Sequence, residues 1–209
     1  TVSWAPEMCI RDRPILANLR LKTLNGKLEV TATDLEIQIK TFSDLLDVEE
    51  EGETTVSARK MSELCRSLPD GEKVNFSLTS GKLTVRANNF HADFATISPD
   101  DFPEIEINEE LNPLKINSSV LKRVLTKTAF SMASQDVRYY LNGMLLEVNG
   151  SKINGVATDG HRLAFSSSSL VDSNLEVRNI LPRKAVLELS KLLSADDKDI
   201  NLMIGPSYI

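Results

Sequence analysis

The sequence predicts an α+β fold made of two copies of one module, each combining antiparallel hairpins with amphipathic helices. Three observations carry this. Residues 135–163, QDVRYYLNGMLLEVNGSKINGVATDGHRL, contain two apolar segments, Tyr140–Val148 and Ile153–Thr158, separated by the turn residues Asn149-Gly150-Ser151. A second turn at Asp159-Gly160 leads into Arg162–Ser166. Part of this order recurs at Ile15–Ile37, ILANLRLKTLNGKLEVTATDLEI: apolar strand, Asn-Gly turn, second strand, Ala-Thr-Asp.

The copies also keep register. Leu16 pairs with Leu141, Leu19 with Met144, Leu21 with Leu146 and Ala32-Thr33-Asp34 with Ala157-Thr158-Asp159, all 125 positions apart. Downstream, Ala58-Arg59-Lys60 matches Pro182-Arg183-Lys184 at 124 and Val74-Asn75-Phe76 matches Ile200-Asn201-Leu202 at 126. A near-constant offset through strands and a helix start means one supersecondary unit used twice.

Taken in order, Thr1–Arg13, TVSWAPEMCIRDR, has no clean period and no counterpart in the second copy. It is expected to be a non-native junction, with module one spanning 14–110 and lacking its amino end. Strands are predicted at Ile15–Thr23, Lys27–Thr33 and Glu36–Ser43, the last from alternation of Leu35, Ile37 and Ile39 with polar residues. Asp44–Glu53 holds six carboxylates in ten residues and reads as a solvated loop. Thr54–Ser57 is a short strand, and Ser57 caps a helix over Arg59–Leu68, closed by Pro69-Asp70-Gly71. A meander follows at Lys73–Leu78, Lys82–Ala87 and Asp93–Ile97.

Ser98–Pro113, rich in proline and carboxylates, reads as the linker. Module two, 111–209, opens with a strand at Leu114–Ile116 and a helix over Val120–Phe130 capped by Asn117 or Ser118. After its hairpins come a connection at Ser167–Asn174, a strand at Val177–Leu181, a helix at Arg183–Leu193 and a strand at Asp199–Ile204. It is expected to lack its carboxyl end, because module one continues with two further strands at this point.

Composition is that of a globular chain: 209 residues, 41% hydrophobic and 26% charged. No apolar run reaches the length of a membrane span. Cys9 and Cys65 show neither disulfide-framework nor metal spacing, which fits a reducing cytosol, and Cys65 is expected to be a buried helical thiol. The net charge is −6, but its distribution matters more. The predicted helices carry Arg59, Lys60, Arg66, Lys122, Arg123, Lys127, Arg183, Lys184 and Lys191 against only Glu63 and Glu188, a local +7 that leaves −13 for the remainder. Arg59-Lys60 and Arg183-Lys184 sit in first turns, where the helix dipole gives cations no help. Positive charge placed against that preference points to phosphate contact.

Thr158–Leu163 sets Asp159 beside His161, but no nucleophile motif accompanies them, and two histidines make a histidine metal site improbable. A hydrolase using Asp159 and His161 and a non-ring nucleic-acid-binding module are the alternative function classes. Tyr139-Tyr140, expected to alternate faces on a strand, follow the polar stretch Gln135–Arg138, a combination suited to DNA backbone or unpaired bases.

At QDVRYYLNG and VATDGHRL, and through ILANL, TATDLEI, SARK, FSMA and PRK, residues 14–209 resemble the bacterial DNA polymerase III beta subunit, the replicative sliding-clamp family. The resemblance implies DNA-clamp modules with antiparallel sheet outside and two helices inside, closed by a full-length homodimer into a ring around duplex DNA. It implies a cytoplasmic, non-catalytic processivity factor with no cofactor, no metal and no membrane association. Its partners would be double-stranded DNA, the polymerase III catalytic subunit, the clamp loader and other proteins carrying clamp-binding motifs. Leu141, Thr158, Gly160, His161, Arg162 and Leu163 match the family's peptide pocket, with Leu141 and Leu163 as an apolar floor. Gln135, Tyr139 and Tyr140 match its DNA-contacting loop, and Arg183 and Lys184 its basic lining. Lys122, Arg123, Lys127, Arg59 and Lys60 join the DNA set from the charge map, and Phe94 is a candidate anchor on the dimer edge.

Overall fold

The computed structural model describes residues 13–45, 47–88, 90–170, 175–193 and 197–209. The expected junction, with Cys9, lies outside them except for Arg13, as does the end of the Ser167–Asn174 connection. The chain forms two compact units that divide between Ile105 and Glu106.

In unit 1 a 3₁₀ turn at Pro14–Ala17 precedes β1 (Asn18–Leu24), β2 (Lys27–Thr33), β3 (Gln38–Asp44), β4 (Glu53–Ser57), α1 (Ala58–Ser67), β5 (Asn75–Thr79), β6 (Lys82–Ala87) and β7 (Phe90–Ala95). One antiparallel sheet has the order β3-β2-β1-β4 and a second β5-β6-β7. Ser57 caps α1 as its side chain accepts from the Lys60 amide. Met61 and Leu64 face inward and join Leu21, Val56, Leu83, Val85 and Phe94 in the core. Cys65 is exposed, contrary to expectation, because the buried stripe of α1 runs through Met61 and Leu64 and leaves position 65 outside it.

Unit 2 contains β8 (Asn112–Asn117), α2 (Ser118–Thr128), β9 (Gly143–Asn149), β10 (Lys152–Thr158), β11 (Leu163–Ser169), β12 (Glu176–Pro182), α3 (Arg183–Leu192) and β13 (Asp199–Ile204). Its sheets are β11-β10-β9-β12 and β13-β8. Asn117 supplies the α2 cap, accepting from the Ser119 amide. Leu121, Val124 and Leu125 of α2 and Val186 of α3 are fully buried against Met144, Leu146, Val148 and Ile153. Each such side chain contributes about 1.5–3 kcal/mol. Gly155 on β10 lets α2 approach, since a Cβ there would lie 2.7 Å from Val124 Cγ1.

The duplication is structural. β1, β2 and β3 begin and end 125 residues before β9, β10 and β11, and α1 lies 125 before α3. The 124-residue match of Arg59-Lys60 with Arg183-Lys184 is therefore one position out of register: Ala58 corresponds to Arg183. Two helices are present in unit 2, and one among the described residues of unit 1. The expected linker is also narrower than its composition implied. Phe102 is buried in unit 1, and Pro113 already belongs to β8.

Candidate nucleic-acid and peptide interface

The β10–β11 turn is held by its own side chains. Thr158 Oγ1 donates to the Arg162 carbonyl at 2.7 Å and accepts from the Gly160 amide at 3.1 Å. Asp159 Oδ1 accepts from the amides of His161 and Arg162 at 3.0 and 2.9 Å, and Oδ2 accepts from Arg162 Nε at 3.0 Å. Those two amides, then the guanidinium, lower the Asp159 pKa to about 2. A carboxylate so fully engaged is a weak proton acceptor, and its bonds serve to hold the turn. Gly160 takes φ +87°, where a side chain is strained.

The equivalent turn of unit 1 has the same wiring without the same surface. Thr33 Oγ1 bonds the Ile37 carbonyl and the Leu35 amide, and Asp34 Oδ1 accepts from Glu36 and Ile37. Leu35 occupies the Gly160 position at φ +76°. The Thr-Asp turn is thus scaffold, and unit 2 differs in what it displays. Leu163 is 66% exposed, so it forms neither a core residue nor a buried floor. Arg162 stacks over Phe130 at 5.5 Å from the ring centre, adding an exposed aromatic that sequence spacing places only at the end of a helix.

Beside this turn, Tyr139–Leu141 form a 3₁₀ turn and not the strand expected, closed by Leu141 N donating to Arg138 O and Asn142 N donating to Tyr139 O. Consecutive side chains in such a turn fan out by about a third of a rotation instead of alternating. Leu141 therefore points inward at 8% exposure while Tyr139 and Tyr140 both face out, at 75% and 50%. Their rings meet edge to face with centroids 5.8 Å apart. The preceding loop is fixed by a paired exchange between Asp136 and Asn142, two bonds of 2.8 Å, and Gln135 sits at φ +59°. Arg138, read from sequence only as the end of the polar stretch Gln135–Arg138, makes a two-pronged pair with Asp136 at 3.0 and 2.9 Å.

The basic residues separate into two groups. Lys122 Nζ donates to the Leu193 carbonyl at 2.7 Å, capping the end of α3, where a cation complements the dipole; its ammonium is engaged inside unit 2. Arg183 is half-buried and donates to the Met132 carbonyl, and Arg123 bonds Ser168 Oγ. Arg59 pairs with Glu63 and Lys191 with Glu188. Lys60, Arg66 and Lys127 are exposed and form no ion pair among the described residues, and Lys184 is exposed.

Phe94 requires a correction as a dimer anchor. It is 7% exposed and belongs to the unit 1 core, because the pleat of β7 turns position 94 inward and His91 and Asp93 outward. β7 is nonetheless an edge strand and presents its unpaired backbone edge. A cleft of about 550 Å³ in unit 1, lined by Leu28, Phe76, Leu78, Asp47 and Glu49–Glu51, includes none of these contact residues, and its carboxylates repel phosphate.

Comparison with known proteins matches residues 9–106 to the N-terminal domain, and 115–209 to the central domain, of the DNA polymerase III beta subunit. The beta sliding clamp of Pseudomonas aeruginosa is 41% identical over 197 residues and that of Vibrio cholerae 42% over 196. Each alignment covers 94% of this chain and 54% of the relative, so the chain spans about half the length of the curated relatives it matches. The crystal structure of the P. aeruginosa DNA polymerase III beta subunit superposes with a TM-score of 0.88 at 41% identity, over 93% of this chain and 54% of that one. The Caulobacter crescentus sliding clamp gives 0.86 at 29% identity, over 93% and 54%.

Proposed function

The chain belongs to the DNA polymerase III beta subunit family, and from that premise we propose that it contributes two consecutive modules to a sliding clamp. The clamp is a non-catalytic processivity factor that encircles duplex DNA as a homodimer and tethers the polymerase III catalytic subunit, the clamp loader and other motif-bearing proteins. It works in the cytoplasm, where the bacterial chromosome is replicated. The observation that carries this reading is unbroken family similarity across both modules at about 40% identity.

Thr158, Gly160, His161, Arg162 and Leu163, with Leu141 beneath, form the peptide-binding surface. A rigid turn, an exposed leucine and a glycine that admits close backbone approach suit a short apolar motif. Gln135, Tyr139 and Tyr140 meet DNA from the adjoining loop. Lys60, Lys127, Lys184, Arg59, Arg123 and Arg183 supply screened phosphate contact, the three arginines with the hydrogen-bonding capacity left by their protein partners. Such contacts permit sliding while topology prevents escape. Lys122 is a weaker member of the set, its ammonium being engaged on α3.

The test uses a full clamp containing this chain, loaded on nicked circular DNA. The expected result is retention on the circle and loss after linearisation. Equal retention on both forms would overturn the ring and favour a module that binds nucleic acid without encircling it.

A further inference from the structure

The residues assigned above to DNA and to peptide are parts of one structure. The 3₁₀ turn Tyr139–Leu141 carries the two exposed tyrosines on one side and the buried Leu141 on the other. The carbonyl that accepts from the Leu141 amide belongs to Arg138. The Arg138 guanidinium then crosses to the β10–β11 turn. An ideal Cβ on Gly160 would lie 3.3 Å from its Nη2, 3.6 Å from Nη1 and 3.8 Å from Cζ, so the planar group rests against Gly160. Asp136 holds it there through Nε and Nη2 and also accepts from the Arg138 amide at 2.8 Å.

We propose that Arg138 is a positioning residue that couples the Gly160 turn to the Tyr139–Tyr140 edge, so that a peptide seated on Thr158–Leu163 alters how the tyrosines are presented to DNA. This rests on the reading of the two surfaces given above. The link lies on one face of the turn: the guanidinium covers the side of Gly160 from which a side chain would project, so a ligand backbone reaching that side meets Arg138. Arg138 can yield only by loosening its pair with Asp136. The Asp136 amide donates to Asn142 Oδ1, and the Asn142 amide donates to the Tyr139 carbonyl. A shift of Arg138 is thereby passed to the turn that carries both tyrosines.

The test is a double-mutant cycle on the 209-residue chain with fluorinated tyrosine. Its three tyrosines give three fluorine signals, and Tyr208, at the far end of the chain, serves as an internal control. Gly160→Ala, which places a methyl group against Arg138, is expected to shift the Tyr139 and Tyr140 signals and leave Tyr208 unmoved. In an Arg138→Ala background the same substitution is expected to move neither. Equal shifts in both backgrounds, or no shift in either, would overturn the coupling. If Gly160→Ala fails to fold, Asp136→Asn provides the reverse test: releasing the guanidinium should move the Gly160 amide resonance together with Tyr140, and an unmoved Gly160 overturns the proposal. Anisotropy with a 30-base-pair duplex at low salt separates the two readings. Fluorine coupling without DNA binding by the parent chain leaves the coupling standing and removes the DNA role of the loop. DNA binding in which the response to Gly160→Ala is about twofold or more, and vanishes with Arg138→Ala, supports both.

Discussion

Single residues in unit 2 divide between those that hold the fold and those that hold a surface. Gly155 is of the first kind. Gly155→Ala is expected to cost about 1–3 kcal/mol, because a methyl group 2.7 Å from Val124 Cγ1 forces α2 off the sheet; thermal melting measures this. Leu163 is of the second kind. Leu163→Ala should change stability by less than about 0.5 kcal/mol, since the side chain is largely in solvent. It should also weaken binding of a clamp-motif peptide at least about fivefold, roughly 1 kcal/mol, and an unchanged affinity by titration would remove Leu163 from the pocket. Asp159 and Asp136 give a pH prediction. Both are held at about 2, Asp159 by the amides of Arg162 and His161 and Asp136 by the Arg138 guanidinium. A depressed carboxylate contributes stability above its ordinary value of 3.8, lost as pH falls toward 2. Carboxyl carbon shifts should therefore show both turns unchanged from pH 7 to pH 4 and titrating only near pH 2.

At the scale of elements, duplication preserves the backbone while changing the chemistry of a face. The cross-strand row Lys40, Thr31, Arg20 and Thr55 on β3, β2, β1 and β4 corresponds, 125 residues on, to Phe165, Val156, Leu145 and Ile180. The unit 1 row is polar, with two cations, and is covered by its own chain. Glu104 accepts from Arg20 at 2.8 Å and Lys40 at 3.1 Å, Ile105 donates to Gln38, and Arg20 also meets Glu53 at 2.6 Å. Burial opposes the charge on Arg20, but hydrogen bonds to Glu104 and Glu53 outweigh it and raise its pKa, while Arg20 and then Lys40 lower that of Glu104. Glu104→Gln is expected to cost about 0.5–1 kcal/mol, discounted because the carboxylate is partly in solvent. Hydrogen exchange at the Ile105 amide should accelerate, and unchanged exchange would show that Phe102 alone fastens this segment. The unit 2 row is apolar, with Phe165 and Ile180 exposed.

For the whole molecule, the relevant quantity is where charge resides in a chain of net −6. Removing a cation that meets a phosphate should flatten the dependence of DNA affinity on salt by about 0.9 in log–log slope. Lys127→Glu combined with Lys60→Glu is expected to weaken duplex binding about tenfold or more at low salt and flatten that slope by about 2, with melting temperature unchanged. Lys122→Ala should instead lower stability, because it uncaps α3, and a large effect on DNA with none on melting would reverse that assignment. Fluorescence anisotropy across a salt series checks both.

Much of the fold was legible in the sequence because it is local or repeated. β2, β6 and β13 occupy the residues that apolar alternation and turn chemistry predicted, and the 125-residue offset exposed the duplication without any contact being known. The Thr-Asp turn was readable for the same reason, since its hydrogen bonds close within five residues. What sequence could not determine depends on long-range packing. Phe94 and Leu163 are both apolar residues on strands, yet the pleat of one sheet turns the first into the core and the other leaves the second in solvent. Lys122 and Lys127 lie on one helix with the same charge, and only the end of α3 beside Lys122 converts one into a cap. Arg138 reaches Gly160 across a gap of 22 residues in sequence, a contact that exists because two turns meet at one end of the sheet. Periodicity is a property of neighbours along the chain, whereas burial and partnership are properties of neighbours in space, and only the tertiary structure supplies those.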